Sequence, residues 1–429
     1  MSCTIVVGTQ FGDEGKGKIV DYYSEDADII VRYNGGSNAG HTVVINDEKF
    51  AFSLLPSGVL RKDKIVVIGN GVVLDPEVIF REINDLKKKG ITPAKILISD
   101  RAHIVMPYHK IMDAAQEKVK GGLSAGTTKR GIGPCYSDKV ARFGIRTCDL
   151  LDEKVLKEKL DVFIPLQEKL ISAYGEKIRL SKEELYDKFI RYGIKLSSYI
   201  TDTSSLLNEA ISQGKKILLE GAQGTHLDID WGIYPYGTSS NVVSGGACTG
   251  SGIPPTRIGR IIGVVKAYTS RVGTGPFPAE LTGKVGEFIR ERGGEYGTVT
   301  GRPRRCGWLD LVMLRHSIKI NGISNIALTK IDVLSGLNEI RICIGYDHNG
   351  EEVTNFPANM RFLSECSPIY ETFAGWDELS EQEWSLFLKS GYESLPNNLK
   401  EYIKYVEKAT DTPITLLSFG PERDLTMII

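Results

Sequence analysis

Thr4-Ile5-Val6-Val7-Gly8-Thr9-Gln10-Phe11-Gly12-Asp13-Glu14-Gly15-Lys16-Gly17-Lys18 decides the fold. Its first four residues form a short apolar, β-branched run that reads as a buried parallel strand. Ile19–Tyr23, which follow, read as the first turns of a helix. Strand, glycine turn and helix together make a phosphate site. The glycines let backbone N–H groups approach an anion, and the helix N-terminus adds partial positive charge. Lys16 and Lys18 contribute two full charges. Asp13 is out of place in such a loop, because it repels phosphate. Its presence makes sense if it holds a metal ion, takes a proton, or does both.

The stretch departs from the strict P-loop, G-x-x-x-x-G-K-[ST]. Gln10 stands at the first glycine position and Gly17 at the hydroxyl position. Outward from it, Ile29–Arg32 and His41–Ile45 read as strands, joined by the polar turn Tyr33-Asn34-Gly35-Gly36-Ser37-Asn38-Ala39-Gly40-His41-Thr42. A turn this rich in Gly and Asn, close to the phosphate loop, makes His41 a candidate proton donor or charge stabiliser. Ile65–Ile68 and Ile96–Ser99 read as strands, and Pro76–Lys88 and Tyr108–Lys120 as helices. Such alternation predicts an α/β fold with a large, mainly parallel central sheet flanked by helices.

Gly121–Pro134 is a Gly/Ser/Thr loop followed by Asp138-Lys139-Val140-Ala141-Arg142, and its hydroxyls and guanidinium suit a second phosphate. Residues 150–213 are rich in Leu, Lys and Glu at helical spacing and read as a helical insertion within a single domain spanning 1–429. Lys216–Leu219 returns to strand and opens into Glu220-Gly221-Ala222-Gln223-Gly224-Thr225, with Thr238 farther along; Gln223 suits a purine 6-oxo group and Thr238 a phosphate. Arg260–Thr269 is a further strand. The loop Thr298-Val299-Thr300-Gly301-Arg302-Pro303-Arg304-Arg305 then carries three arginines for a carboxylate or other anion. The strand Asn325–Thr329 leads into Lys330-Ile331-Asp332, similar to the guanine-reading Asn-Lys-x-Asp element of GTP-binding proteins. There the Asp accepts from guanine N1–H and the 2-amino group, which adenine cannot match. Pro413–Ser418 gives a late strand ending in Ser418-Phe419-Gly420.

The totals are those of ordinary soluble composition, ample for a large core. The chain has 429 residues, 41% hydrophobic, with 53 Lys and Arg against 54 Asp and Glu. No basic excess points to nucleic acid or an anionic membrane. Seven scattered cysteines without a C-x-x-C pair read as reduced thiols, neither a zinc site nor a disulfide framework. No apolar run has membrane-spanning length. The early first strand leaves no room for a signal peptide, so a cytoplasmic location is expected.

Gly12–Lys18, the Asn38–Thr42 turn, the Thr128 loop, the Glu220–Thr225 run, the 298–305 loop and Lys330–Asp332 occur in one order. In that order they resemble the adenylosuccinate synthetase family over essentially the whole chain. The resemblance implies a P-loop-NTPase-like nucleotide site and GTP-dependent ligation of IMP and L-aspartate, with one Mg²⁺ per subunit. It implies that Asp13 and the Gly40 carbonyl hold the metal, and that Asp13, Lys16, His41 and Gln223 carry catalysis. GTP would meet Gly12–Lys18, Gly40, His41, Thr42 and Arg304, with its guanine on Lys330, Ile331, Asp332, Ser418, Phe419 and Gly420. IMP would meet Asp13–Lys16, Asn38, Ala39, Gly40, His41, Thr128, Gln223, Thr238 and Arg302, while Arg142 reaches in from the other subunit of a homodimer. Aspartate would sit on Thr298–Arg304. There this chain has Pro303 where family members are expected to carry Arg, and Val299 where they carry Thr; the first stiffens the loop and the second removes a hydroxyl. Asp13 must be ionised for its roles, with Mg²⁺ and Lys16 expected beside it.

Two readings of other classes compete. A regulatory GTPase needs a Walker hydroxyl residue and a D-x-x-G switch, and residues 19–329 contain no D-x-x-G. A non-catalytic nucleotide-binding scaffold has no need of Asp13, His41 and an arginine clamp together.

Overall fold

The computed structural model describes residues 3–45, 48–124, 126–297 and 301–429. The opening strand lies in the middle of a ten-stranded sheet. In chain order its strands are β1 (Cys3–Gly8), β2 (Ile29–Arg32), β3 (Ile65–Ile68), β4 (Lys95–Ser99), β5 (Ile200–Thr201), β6 (Ile217–Glu220), β7 (Ile258–Lys266), β8 (Asn325–Thr329), β9 (Ile414–Ser418) and β10 (Thr426–Ile428). In space they run β10-β9-β8-β7-β1-β6-β2-β3-β4-β5. Every neighbouring pair is parallel except β9 with β10.

Strand side chains alternate between two cores, one on each face. Ile5, Val7, Ile29, Val31, Ile217 and Leu219 belong to one, and Val6, Ile30 and Leu218 to the other. This is why the strands read as continuous apolar runs: both faces are covered by helices. The first helix, α1 (Lys16–Tyr23), packs Ile19 and Val20 into the second core. The helices Pro76–Lys88, Pro107–Lys120, Glu153–Ala173 and Lys182–Leu196 add to the same face. Leu207, Leu314 and Tyr402 come from helices on the opposite face.

Several expectations are corrected. His41–Ile45 forms at the expected residues but leaves the central sheet, pairing with Glu48–Phe52 as a hairpin. The 121–134 loop ends early, because the helix Ile132–Ala141 begins inside it. The 150–213 insertion is mostly helical, yet it supplies β5, the edge strand paired with β4. The strand expected over 260–269 divides at Ala267: β7 ends at Lys266, and Tyr268–Arg271 starts a second, five-stranded sheet with Arg305–Asp310, Glu339–His348, Glu351–Val353 and Ser367–Ala374.

The strand ends explain why the motifs meet. Glu220 at the end of β6 is in register with Val6 and with Arg32, and Gly8 with Val264. Lys266, Thr329 and Ser418 form one continuous row across β7, β8 and β9. The loops after Gly8, Arg32, Glu220, Lys266, Thr329 and Ser418 therefore leave one edge of the sheet, the carboxyl ends of the strands, where doubly wound folds bind ligands.

Candidate active site

A cleft of about 520 Å³ opens at this edge. Gly12, Asp13, Asn38–His41, Thr128, Gln223, Thr238, Arg302 and Arg304 are among its lining residues. Backbone contact holds its walls together. A Cβ on Gly12, whose φ is +90°, would lie 2.7 Å from Gln223 Cα, so only glycine allows the two loops to touch. Likewise a Cβ on Gly17 would lie 2.8 Å from the Thr42 carbonyl, so α1 and the His41 strand meet there. Asn34 clips the third loop on: its Oδ1 accepts from Ala222 N at 2.9 Å and its Nδ2 donates to Ala222 O at 3.3 Å.

Within the phosphate loop the side chains divide. Glu14 folds inward and accepts from the backbone N–H groups of Gln10 (2.8 Å) and Gly12 (3.0 Å). Lys16 pairs with Glu14 at 2.8 Å. The cation expected beside Asp13 is therefore not Lys16. Lys266 Nζ, at 3.4 Å, and Arg304 Nε, at 3.5 Å, stand there, and Ser270 Oγ donates to Asp13 Oδ2 at 2.5 Å. Asp13 Oδ1 is buried with no partner. Lys18 turns away from the phosphate side and donates to the carbonyls of Phe419 (2.9 Å), Gly420 (3.2 Å) and Leu425 (2.8 Å). Burial brings its ammonium down to about 7 against the opposing pull of Asp332, Glu422 and Asp424. Gly15, in the left-handed region at φ +85°, caps α1 without a side-chain acceptor, so the first N–H groups of the helix are left for an anion.

His41 Nδ1 hydrogen-bonds Glu220, and its Nε2 is buried without a partner. Glu220 also accepts from Ser57 N (2.9 Å) and Ser57 Oγ (2.7 Å), which fixes the imidazole plane. Burial lowers the His41 pKa, against Glu220, which raises it. Gln223 sits in the left-handed region at φ 62°, and both atoms of its buried amide lack partners. Asn38 Nδ2 donates to Thr238 Oγ1 at 3.3 Å, joining two candidate phosphate contacts. Arg302 Nη2 donates to Gly126 O at 3.0 Å and links the arginine loop to the Thr128 loop.

Lys330–Asp332 and Ser418–Gly420 occupy the neighbouring strand ends rather than the cleft lining. Asp332 Oδ1 is buried without a partner, as a guanine acceptor would be. Ile331 and Phe419 are fully buried, Phe419 stacking on Trp384, so their side chains serve the core. Thr298, Val299 and Thr300 lie outside the described residues; Gly301, Pro303 and Arg304 lie within them, and a bridge between Tyr296 and Pro303 closes the loop stem. Arg142 is exposed at the end of its helix, at φ 68°, away from the cleft of its own chain.

The adenylosuccinate synthetase family profile matches residues 5–427. The adenylosuccinate synthetase of Acetivibrio thermocellus is 49% identical over 430 residues, covering 100% of both chains. That of Caldicellulosiruptor saccharolyticus is 54% identical over 419 residues, covering 98% of this chain and 97% of its own. The chain belongs to the adenylosuccinate synthetase family. A solved structure of fully ligated adenylosuccinate synthetase from Plasmodium falciparum matches it with a TM-score of 0.92 at 42% identity, over 100% of both chains. Membership makes this chain a ligase that joins IMP to L-aspartate using GTP, in AMP synthesis from IMP.

Sequence reasoning toward an adenylosuccinate synthetase missed Ser57, Lys266, Ser270 and Glu295, and gave Glu220 no role. Lys266 and Glu220 end the parallel strands β7 and β6, a position that marks them as site residues once the sheet order is known. Ser270 and Glu295 lie in stretches without a recognisable motif.

Proposed function

We propose that the ligation runs in two steps through 6-phosphoryl-IMP, with Asp13 as the general base. What supports it is the convergence on one cleft of three buried groups left without partners: Asp13 Oδ1, His41 Nε2 and the Gln223 amide. Buried polar groups are almost always paired, and three that are not meet on one cleft. Asp13 takes the N1 proton of IMP, and the electron pair released makes O6 a nucleophile. O6 forms a bond to the γ-phosphorus of GTP as the bond to the β–γ bridging oxygen breaks and GDP leaves. The amino group of L-aspartate then attacks C6, phosphate departs with O6, and the amine gives up a proton. Gln223 orients the 6-oxo group. His41, its Nδ1 fixed by Glu220, turns Nε2 toward the departing β-phosphate oxygen. Burial favours the neutral ring in the free site, and the arriving phosphate charge together with Glu220 favours the protonated form that donates to that oxygen.

Asp13 and the Gly40 carbonyl would hold Mg²⁺. No cluster of three or more His, Cys, Asp or Glu side chains among the described residues is placed to hold a metal. That donor set fits an ion that takes most of its ligands from water and substrate phosphates, and the ion, when bound, neutralises phosphate charge. Thr128, Thr238 and Asn38 take the IMP phosphate, Arg302 and Arg304 the aspartate carboxylates, and Lys330 and Asp332 the guanine. Arg142, exposed beside Val140, which is 81% exposed, completes the site of a second subunit in a homodimer. No helix among the described residues is long and apolar enough to cross a membrane, and we place the enzyme in the cytoplasm.

The test is positional isotope exchange: with IMP and without aspartate, ¹⁸O in the β–γ bridge of GTP should scramble into the β-phosphate. Turnover in the full mixture without scrambling would overturn the two-step order.

A further inference from the structure

Glu295 belongs to no motif above, is completely buried, and takes four donors, with the Ser270 hydroxyl beside it. Oε1 accepts from Tyr268 Oη at 2.5 Å, Lys266 Nζ at 2.8 Å and Lys330 Nζ at 3.2 Å. Oε2 accepts from Arg304 Nη1 at 2.6 Å and faces Ser270 Oγ at 3.0 Å. A buried carboxylate is costly unless surrounded in this way. Desolvation raises its proton affinity, but Lys266, Lys330 and Arg304 outweigh that and hold it well below the usual carboxylate range.

The origin of those donors distinguishes this residue from an ordinary buried ion pair. Lys330 is the lysine of the guanine motif, set at φ 57°, and it also donates to Gly293 O at 2.5 Å on the stem of the arginine loop. Arg304 closes that loop, and its backbone N–H donates to Glu295 O at 2.8 Å. Lys266 and Ser270 are the partners of Asp13. One carboxylate therefore touches the guanine subsite, the aspartate loop and the groups around the base. Stability alone does not call for this, because apolar residues of similar volume often replace a buried ion cluster without loss. What apolar residues cannot do is orient the guanidinium fork of Arg304. Glu295 takes Nη1 and leaves Nε, which has no hydrogen-bond partner, facing Asp13.

We propose that Glu295 is a positioning residue that couples guanine-nucleotide binding at Lys330 to the seating of L-aspartate by Arg304. This rests on the assignment of Arg304 and Lys330 to those subsites. The test uses the full-length enzyme carrying Glu295→Gln, Glu295→Asp, Arg304→Leu, or Glu295→Gln with Arg304→Leu. Both Glu295 variants should raise the KM for aspartate roughly tenfold or more, the scale of a lost charge-assisted hydrogen bond, while the KM for IMP stays within about twofold. In the parent enzyme the aspartate KM should fall as GTP concentration rises, and in both variants that dependence should disappear, a change that a merely structural role would not produce. The double variant should be no worse for aspartate than Arg304→Leu alone. Glu295→Asp keeps the charge and is shorter by one methylene, so it decides the matter if Glu295→Gln does not fold. Folded variants with an unchanged aspartate KM, or effects of the two sites that multiply, would overturn the proposal. If Arg304→Leu alone leaves the kinetics of aspartate and GTP unchanged, the subsite assignment fails instead, whatever Glu295 does.

Discussion

The two carboxylate oxygens of Asp13 have different surroundings. Oδ2 is held by Ser270 and faces Lys266 and Arg304, whereas Oδ1 has no partner. The side chain is thus fixed at one oxygen and open at the other. Asp13→Asn preserves the volume and the Ser270 contact, so the fold should hold while turnover falls below about 1% of the parent rate, the range that loss of a general base gives. A folded Asp13→Asn enzyme with a higher rate would remove Asp13 as the base. His41 is fixed and open in the same way, Nδ1 on Glu220 and Nε2 free. His41→Asn should lower kcat by about 100-fold or more with little change in the KM for IMP, because the interaction lost forms in the transition state. Steady-state kinetics in which only the KM rises would assign His41 to binding alone.

At the next scale, the ends of β8 and β9 form a single unit, the one proposed to read guanine. Thr329 and Ser418 are in register, Lys330 N donates to Ser418 O at 3.0 Å, and Lys18 pins the 419–425 turn to α1. If Asp332 accepts from guanine, Asp332→Asn turns one carboxylate oxygen into a donor that faces guanine N1–H or the 2-amino group. The ratio of kcat/KM for GTP over XTP should fall by about tenfold or more, since a mismatched buried hydrogen bond costs more than an absent one. An unchanged ratio would remove Asp332 from guanine recognition. Elements of this kind are legible in the sequence because local patterns write them: β2, β3, β8 and the Pro76–Lys88 helix fall at the expected residues. The second sheet is not legible, because Arg305–Asp310 and Ser367–Ala374 lack a clean two-residue alternation. Lys18 departs from its sequence reading for a different reason. Its place in a glycine loop names it a phosphate ligand, while a turn 401 residues away claims its ammonium. Charge partners across a fold, such as Lys266 for Asp13, are set by strand order and leave no trace in local sequence.

The whole molecule buries histidines that cannot easily be charged. Burial brings His226 and His103 down to about 3. In the unfolded chain both would take a proton near the ordinary value of about 6.5, so the unfolded state binds more protons between these limits. Stability is then fully present above about pH 6.5 and is lost as pH falls toward 3, by up to about 1.4 kcal/mol per pH unit for each group. Asp310, raised to about 6 by burial, pulls the other way over the same range. Thermal midpoints from about pH 7.5 to about pH 5 should therefore decline more steeply in Asp310→Asn than in the parent, and a flat profile in both would contradict the burial of these rings. The proposed dimer makes the largest claim at this scale. Arg142 lies on the surface, outside the cleft of its own chain, at the end of a helix with exposed Val140 and Phe143 on either side. If it completes the neighbouring site, Arg142→Leu should raise the KM for IMP with the fold intact. Mixing that variant with Asp13→Asn after subunit exchange should form hybrids in which one site has both Asp13 and the neighbour's Arg142. In a twofold-symmetric dimer, random exchange puts half the subunits' sites in hybrids and makes half of those whole, so about a quarter of parental activity should return. No recovery, with hybrids shown by native mass spectrometry, would mean that Arg142 acts within its own chain or not at all.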